Sequence, residues 1–323
     1  MTGKRIWTGA GILFFLLSMF TCAWAVDFPK KPISLIVPYA AGGRTDMIAR
    51  IFIQYWQKNL GQSVVVVNKP GAGSILGTME VIKSNPDGYT LVMGSTALLA
   101  SKYTFPEQVE LLRNMAPVGR VDFDPMFLVA SQKSGFESLK DMIAFGKKNP
   151  KKVKMAAQQG SGMYLYTCAF MKTIGIEPTY IYFQGGGETK VAMAGGHVDL
   201  YFDAAYVYEP LVDAQKARFL AVSGEKRQGR HTEVPTLKEQ GVSMVWGGWN
   251  GVLAPKTTPP DVLQVLEDAM KKTVADKGLL ETADKNQISI GYLNRQEFSA
   301  FLESEDKNFR EIATEIGLYK PKK

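Results

Sequence analysis

The residues best suited to chemistry in this chain are glycines and hydroxyls that follow apolar runs. In "IVPYAAGGRTDMIAR" (36–50) an apolar strand passes through Ala41, Gly42 and Gly43 into a helix-like repeat. Glycine turns the backbone without a Cβ penalty. The unpaired N–H groups that open a helix, aided by its dipole, attract anions. Thr45 or Asp46 is placed to cap a helix beginning near Met47. Taken alone, the loop fits a plain strand–helix connection equally well. Comparable loops recur, however. They are "GSTALL" with Ser95 and Thr96, "QQGSGMY" with Ser161 and Tyr164, and "FQGGGETK" with Gly185, Gly186 and Gly187, while Asp203 closes "VDLYFD". So many polar or glycine-rich strand ends exceed what turns require. They describe an anion cradle.

Other chemistries are poorly supplied. No lysine follows the glycines in a GxxxxGK(S/T) pattern, so nucleotide phosphate binding is unsupported. "GAGSILG" (71–77) imitates a dinucleotide fingerprint, but no acidic residue closes a third strand to hold a ribose. Asp46, Glu188 and Asp203 could serve as acid and base, yet capping and backbone satisfaction account for them more simply. His197 and His231 are far apart and lack ligand spacing, and no GxSxG elbow is present. Cys168 sits in the apolar, helix-like "YLYTCAFM", the setting of a buried inert thiol. No catalysis, metal or cofactor is expected.

The elements that must position these loops alternate in type. "ISLIVP" (33–38), "SVVVVN" (63–68) and "TLVMG" (90–94) read as strands, separated by the amphipathic "TDMIARIFIQYWQKNL" and "SILGTMEVIKSN". A second series follows in "VKMAA" (153–157), "TYIYF" (179–183), "VDLYFD" (198–203) and "RFLAVSG" (218–224), again with helices between. Near-continuous apolar strands joined by helices predict parallel sheets covered on both faces. "APVGRVDFDPMFLVAS" (116–131) and "SMVWGGWNGVLAP" (243–255) look like crossings between two units. Long helices over "PPDVLQVLEDAMKKTVAD" and "RQEFSAFLESEDKNFREIATEIG" return to the first unit. The predicted architecture is α/β and two-lobed, with residues 26–124 and 250–323 in lobe 1 and 125–249 in lobe 2. In such a build, loops at the strand carboxyl ends converge on a ligand cleft.

The first residues read as a secretory signal. Lys4 and Arg5 precede the apolar "GAGILFFLLSMF", and Ala23 and Ala25 suit cleavage after Ala25. The whole 323-residue chain carries a formal net charge of +7. Without the leader it keeps about +5, a balance that suits an anionic ligand but does not define a nucleic-acid surface. "KKNPKKVK" (147–154) reads as a solvated helix end and turn.

Seven motifs occur in order: "KPISLIVPYAAGGRTDMIAR", "NKPGAGSILG", "PDGYTLVMG", "APVGRV", "GGHVDLYFD", "VPTLKEQG" and "GVLAP". Together they resemble the extracytoplasmic receptors of tripartite tricarboxylate transporters, also called Bug receptors. The resemblance implies a type II periplasmic-binding-protein fold, a small carboxylate ligand and a membrane permease of one large and one small subunit. It implies backbone capture of the carboxylate by Tyr39 through Asp46 and by Gly185 to Gly187, with hydroxyls of Ser95, Thr96 and Ser161 completing the grip. The expected product is a periplasmic monomer. A same-fold sensor acting on a membrane kinase is the first alternative, and an exported α/β enzyme the second.

The departures from the family pattern lie in the pocket wall. Arg44 stands where the family usually has a small residue. Tyr164 and Ala97-Leu98-Leu99 stand where histidines are common, and Gln184 replaces a lysine. Arg44 is read as a carboxylate clamp in preference to a solvated rim residue, because its planar fork suits bidentate binding. With histidines gone and Tyr39, Tyr164, Trp246 and Trp249 nearby, an aromatic or mostly apolar mono- or dicarboxylate is the expected ligand rather than citrate or an acidic amino acid.

Overall fold

The computed structural model describes residues 27–104, 110–158, 160–183, 186–228 and 230–320. The leader over 1–25, Gln184 and Gly185 lie outside these residues. The chain opens with β1 (Ile33–Val37), α1 (Arg44–Leu60), β2 (Val64–Asn68), α2 (Ile75–Ile82), β3 (Thr90–Ser95) and α3 (Ala97–Thr104). It leaves through β4 (Met115–Pro125) and enters β5 (Phe127–Ser131), which belongs to a different sheet. The second series comprises α4 (Leu139–Lys148), β6 (Lys154–Ala157), α5 (Gly162–Thr173), β7 (Thr179–Tyr182), α6 (Gly186–Gly195), β8 (Leu200–Asp203), α7 (Ala205–Asp213) and β9 (Ala217–Val222). The chain returns through β10 (Gly247–Pro255), then α8 (Pro260–Val274), α9 (Lys277–Lys285), β11 (Ile290–Leu293) and α10 (Arg295–Glu315).

Six strands form the first sheet in the order β11-β4-β10-β3-β1-β2, and five form the second in the order β7-β6-β8-β5-β9. The expectation of parallel sheets holds only for part of each. β1 pairs in parallel with β2 and β3, and β6 with β7 and β8. The crossing strands run the other way: β10 is antiparallel to β3 and β4, and β5 to β8 and β9. Direction cannot be read from such strands because both faces are covered. All nine residues of β10 are buried, which removes the alternation that marks an antiparallel strand with one wet face.

Helix α1 illustrates how the sequence fixes its own packing. Ile48, Phe52 and Trp56 recur at intervals of four, so they share one face, and all three are buried. That face joins a core with Leu266 and Met270 of α8 and Leu35 of β1. Gly61, in the left-handed region at φ 69°, ends the helix. At the other end of the chain, Asn294 and Glu297 form a reciprocal capping box that starts α10.

α10 does more than return to the first unit. It packs on β4 and α3 and also on α5 of the second series. Glu305 accepts from the Tyr166 hydroxyl at 2.9 Å on both oxygens, Phe309 meets the Tyr166 ring edge-on, and Trp246 stacks on the same ring at 4.8 Å. One continuous core therefore runs from Val92 and Leu98 through Trp249 and Phe309 to Phe170 and Phe202. Gly162 permits this approach. A Cβ there would lie 2.7 Å from both Phe309 and Thr96.

Candidate functional site: a cavity at the strand ends

A cavity of about 610 Å³ opens where the carboxyl ends of β1, β3, β6 and β8 meet. Its size lies within the usual range for small-molecule sites. Residues that open α1, α3, α5, α6 and α7 all line it, so five helices present their amino ends. Each end carries partial positive charge on unpaired N–H groups, and their convergence favours an anion.

Of the expected site residues, Tyr39, Ala41, Gly42, Gly43, Arg44, Thr45, Ser95, Thr96, Ser161, Gly187 and Asp203 line this cavity. Asp46 and Tyr164 do not. Asp46 is buried behind the loop, where Oδ2 accepts the Gly42 N–H at 2.9 Å and Oδ1 accepts from Asn68 at 2.9 Å. Arg50 bonds both of its oxygens. Burial raises the Asp46 pKa, but Arg50, the Gly42 N–H and Asn68 together leave it below the ordinary value. The helix begins at Arg44 rather than near Met47, with Gly43 as an N-cap that has no side-chain cap. Asp46 braces the turn instead, and Gly42 takes φ +81°, a conformation that costs other residues strain.

Tyr164 departs for a helical reason. Met163 lines the cavity, and the next residue is rotated by about 100° around the helix. Tyr164 instead bonds the Tyr182 hydroxyl at 3.1 Å on the outer side and meets the Tyr180 ring. Burial of the Cys168 thiol below them raises its pKa, as expected of an inert cysteine. Trp246 stacks on Tyr166 away from the cavity, whereas Trp249 lines it.

The hydroxyls divide in the same way. Ser161 caps α5, accepting from the Tyr164 N–H and donating to the Gln158 carbonyl at 2.7 Å. Ser95 shares a 2.5 Å bond with the Tyr39 hydroxyl. Thr45 accepts from Asn250 at 3.0 Å. These contacts hold loops in place.

Arg44 lines the cavity, but its fork is occupied. Nη2 donates to Asp122 and, at 2.7 Å, to Asp124, while Nη1 donates to Asn250 at 2.7 Å. Asp122 also accepts the Asn250 N–H, and Asp124 accepts the Ser289 N–H. Burial lowers the Arg44 pKa, but Asp122 and Asp124 outweigh it and hold the guanidinium above its ordinary value. Asp122 is pushed up to about 7, chiefly by burial, although Arg44 opposes the rise. The group read as a clamp for the ligand is thus a clamp for β4 and β10. Only Nε is buried without a partner.

Three polar residues of the wall were missed or underused by the sequence reading. Lys190 lines the cavity and makes no ion pair among the described residues. It stands three residues after Gly187, which puts it on the same helical face and was the available signal. Tyr206, three residues after Asp203, presents a buried hydroxyl with no hydrogen-bond partner. Trp249 contributes an unpartnered indole N–H. Asp203 itself accepts the Ala204 N–H at 2.8 Å, and burial pushes its carboxyl up to about 6.

Residues 48–318 match the family described as "Tripartite tricarboxylate transporter family receptor". The chain belongs to that family. It is 32% identical over 306 residues to the "UPF0065 protein in gbd 5'region" of Cupriavidus necator, covering 94% of this chain and 93% of that one. The solved periplasmic binding protein BugD is 26% identical, with a TM-score of 0.80 over 91% of this chain and 100% of the other. A solved R. palustris protein with adipate is 25% identical, with a TM-score of 0.82 over 90% and 99%. The fold is that of two-lobed periplasmic solute-binding proteins, and the relatives are receptors rather than enzymes. Among the described residues no helix is long and apolar enough to cross a membrane.

Proposed function

We propose that this receptor captures a small organic carboxylate between lobes 26–124 with 250–323 and 125–249, by hinge closure. It then delivers the acid to a membrane permease of one large and one small subunit. The observation that carries the reading is the convergence on one cavity of five helix amino ends and Lys190, which makes no ion pair among the described residues. The carboxylate sits against the N–H groups of Gly43 to Thr45 and of the first turns of α5 and α6, within reach of Lys190. The adipate-bound relative supports this ligand class. Export with cleavage after Ala25 places the receptor in the periplasm, and a mass measurement of the exported protein checks the cut. It acts as a monomer, which the mass of the purified protein in solution checks.

Thermal denaturation against a carboxylate library tests the reading. A ligand at 100 times its Kd adds ~2.7 kcal/mol, a melting shift on the order of 2–4 °C per kcal/mol. If no carboxylate shifts the melt and a phosphate ester or sugar does, the ligand class is wrong. Delivery is tested in cells. A strain lacking the receptor should lose uptake of the acid bound in vitro. Unchanged uptake with altered gene expression would assign it to sensing.

A further inference from the structure

The second-sheet wall of the cavity sets one carboxylate acceptor, Asp203, in the same space as the donor Lys190. Asp203 ends β8 with one oxygen on the Ala204 N–H, and no cationic side chain pairs with it among the described residues. Tyr206, one helical turn on, holds a buried hydroxyl without a partner in the same cavity. Arg44, the nearest cation acting on Asp203, is already engaged by Asp122 and Asp124. Among the described residues the charged side chains that line the cavity are Arg44, Lys190 and Asp203, and Asp122 and Asp124 already neutralise Arg44. A buried carboxylate without a donor is costly, and two carboxylates in contact cannot both stay ionised. A ligand that ends in a second carboxylate therefore aggravates this corner. One that ends in a positively charged N–H donor relieves it.

Building on the carboxylate reading above, we propose that Asp203 and the Tyr206 hydroxyl form a second subsite that binds a cationic, hydrogen-bond-donating nitrogen on the ligand. The ligand is then an amino acid in the broad chemical sense, an acid with an ammonium or protonated ring nitrogen at the end remote from its carboxylate. Between the two polar ends the wall is apolar, with Met126, Met163, Val207 and Trp249, so the connecting portion is a hydrocarbon chain or ring. The burial-driven rise of Asp203 to about 6 agrees with a carboxylate awaiting a counter-charge.

Titration calorimetry at pH 7.5 with matched pairs tests this. Suitable pairs are 4-aminobutyrate against glutarate and 4-(aminomethyl)benzoate against terephthalate, with butyrate and benzoate as acids lacking the second group. The amine member of at least one pair should bind about tenfold or more tighter than its dicarboxylate partner, the scale of a charge-assisted hydrogen bond. Asp203→Asn should remove that preference, bringing each amine and its dicarboxylate partner to within about threefold of one another. Tyr206→Phe, which keeps the carboxylate and the packing, should reduce the preference about three- to tenfold. Tighter binding of the dicarboxylates overturns the proposal and leaves the carboxylate receptor intact. An amine preference that survives both substitutions overturns it too. Failure of every acid in all three groups removes the carboxylate reading and this subsite together.

Discussion

The two walls of the cavity treat charge in opposite ways. On the first-sheet wall, Arg44 is held by Asp122, Asp124 and Asn250, and Asp122 also accepts the Asn250 N–H. On the second-sheet wall, Lys190, Asp203 and Tyr206 line the same space with bonds still to make. A satisfied ion binds the protein to itself, and an unsatisfied one is available to a ligand. The difference separates a residue that stabilises the cavity from one that reads its contents, although both touch it. Arg44 has the chemistry of a clamp but not the freedom.

The largest effect should come from breaking the satisfied wall. Arg44→Ala leaves Asp122 and Asp124 buried without their counter-charge, a change worth about 3–5 kcal/mol in buried pairs. The melting temperature should then fall on the order of 10 °C. An unchanged melt accompanied by lost ligand binding would reverse the assignment and return Arg44 to the ligand.

A smaller effect of pH follows from Asp203. Burial pushes its carboxyl up to about 6 in the folded chain, above the ordinary aspartate value of about 3.9. Between those values the folded state holds more protons than the unfolded state, so stability falls as pH rises and levels off above the folded pKa. Asp203→Asn removes this titration. The variant should melt with the parent protein near pH 4 and rise several degrees above it by pH 7. A difference between the two that does not vary with pH would mean that Asp203 is already satisfied.

Lys190→Gln should weaken every carboxylate about tenfold, the loss of one charge-assisted contact, while the unliganded melt stays within about 1 °C. A large drop in the melt would make Lys190 structural, like Arg44. The smallest effect belongs to Ser161→Ala. Loss of the α5 cap costs about 1 kcal/mol of stability, and calorimetry should find Kd within about threefold of the parent. A tenfold loss of affinity would place the Ser161 hydroxyl on the ligand.

Much of the site's framework was legible. Gly42 and Gly43 after β1, Ser95 and Thr96 after β3, and Asp203 at the end of β8 all reach the cavity, because a strand end followed by a helix start places its loop there. Tyr164 was misplaced by one residue of helical rotation. Asp46 was misread because its partners, Gly42 and Asn68, leave it behind the turn. Lys190 is legible only through its spacing, three residues after Gly187, because a lysine on a helix is ordinarily a solvated surface residue.

The sequence by itself determined the alternation of strands and helices, the turns that glycine permits and the helix amino ends that favour negative charge. These depend on neighbours within a few residues, where side-chain periodicity and backbone freedom operate. Tertiary structure alone decided which charges were already neutralised. Arg44 meets Asp122, Asp124 and Asn250 across 78, 80 and 206 residues of chain. No local spacing encodes such a meeting. It also decided that β5 and β10 run antiparallel, and that Asp203 and Tyr206 face the one cavity with Arg44 near them already engaged by Asp122 and Asp124. Pairing depends on distance in space and on burial, and both are set only when the two sheets and α10 come together.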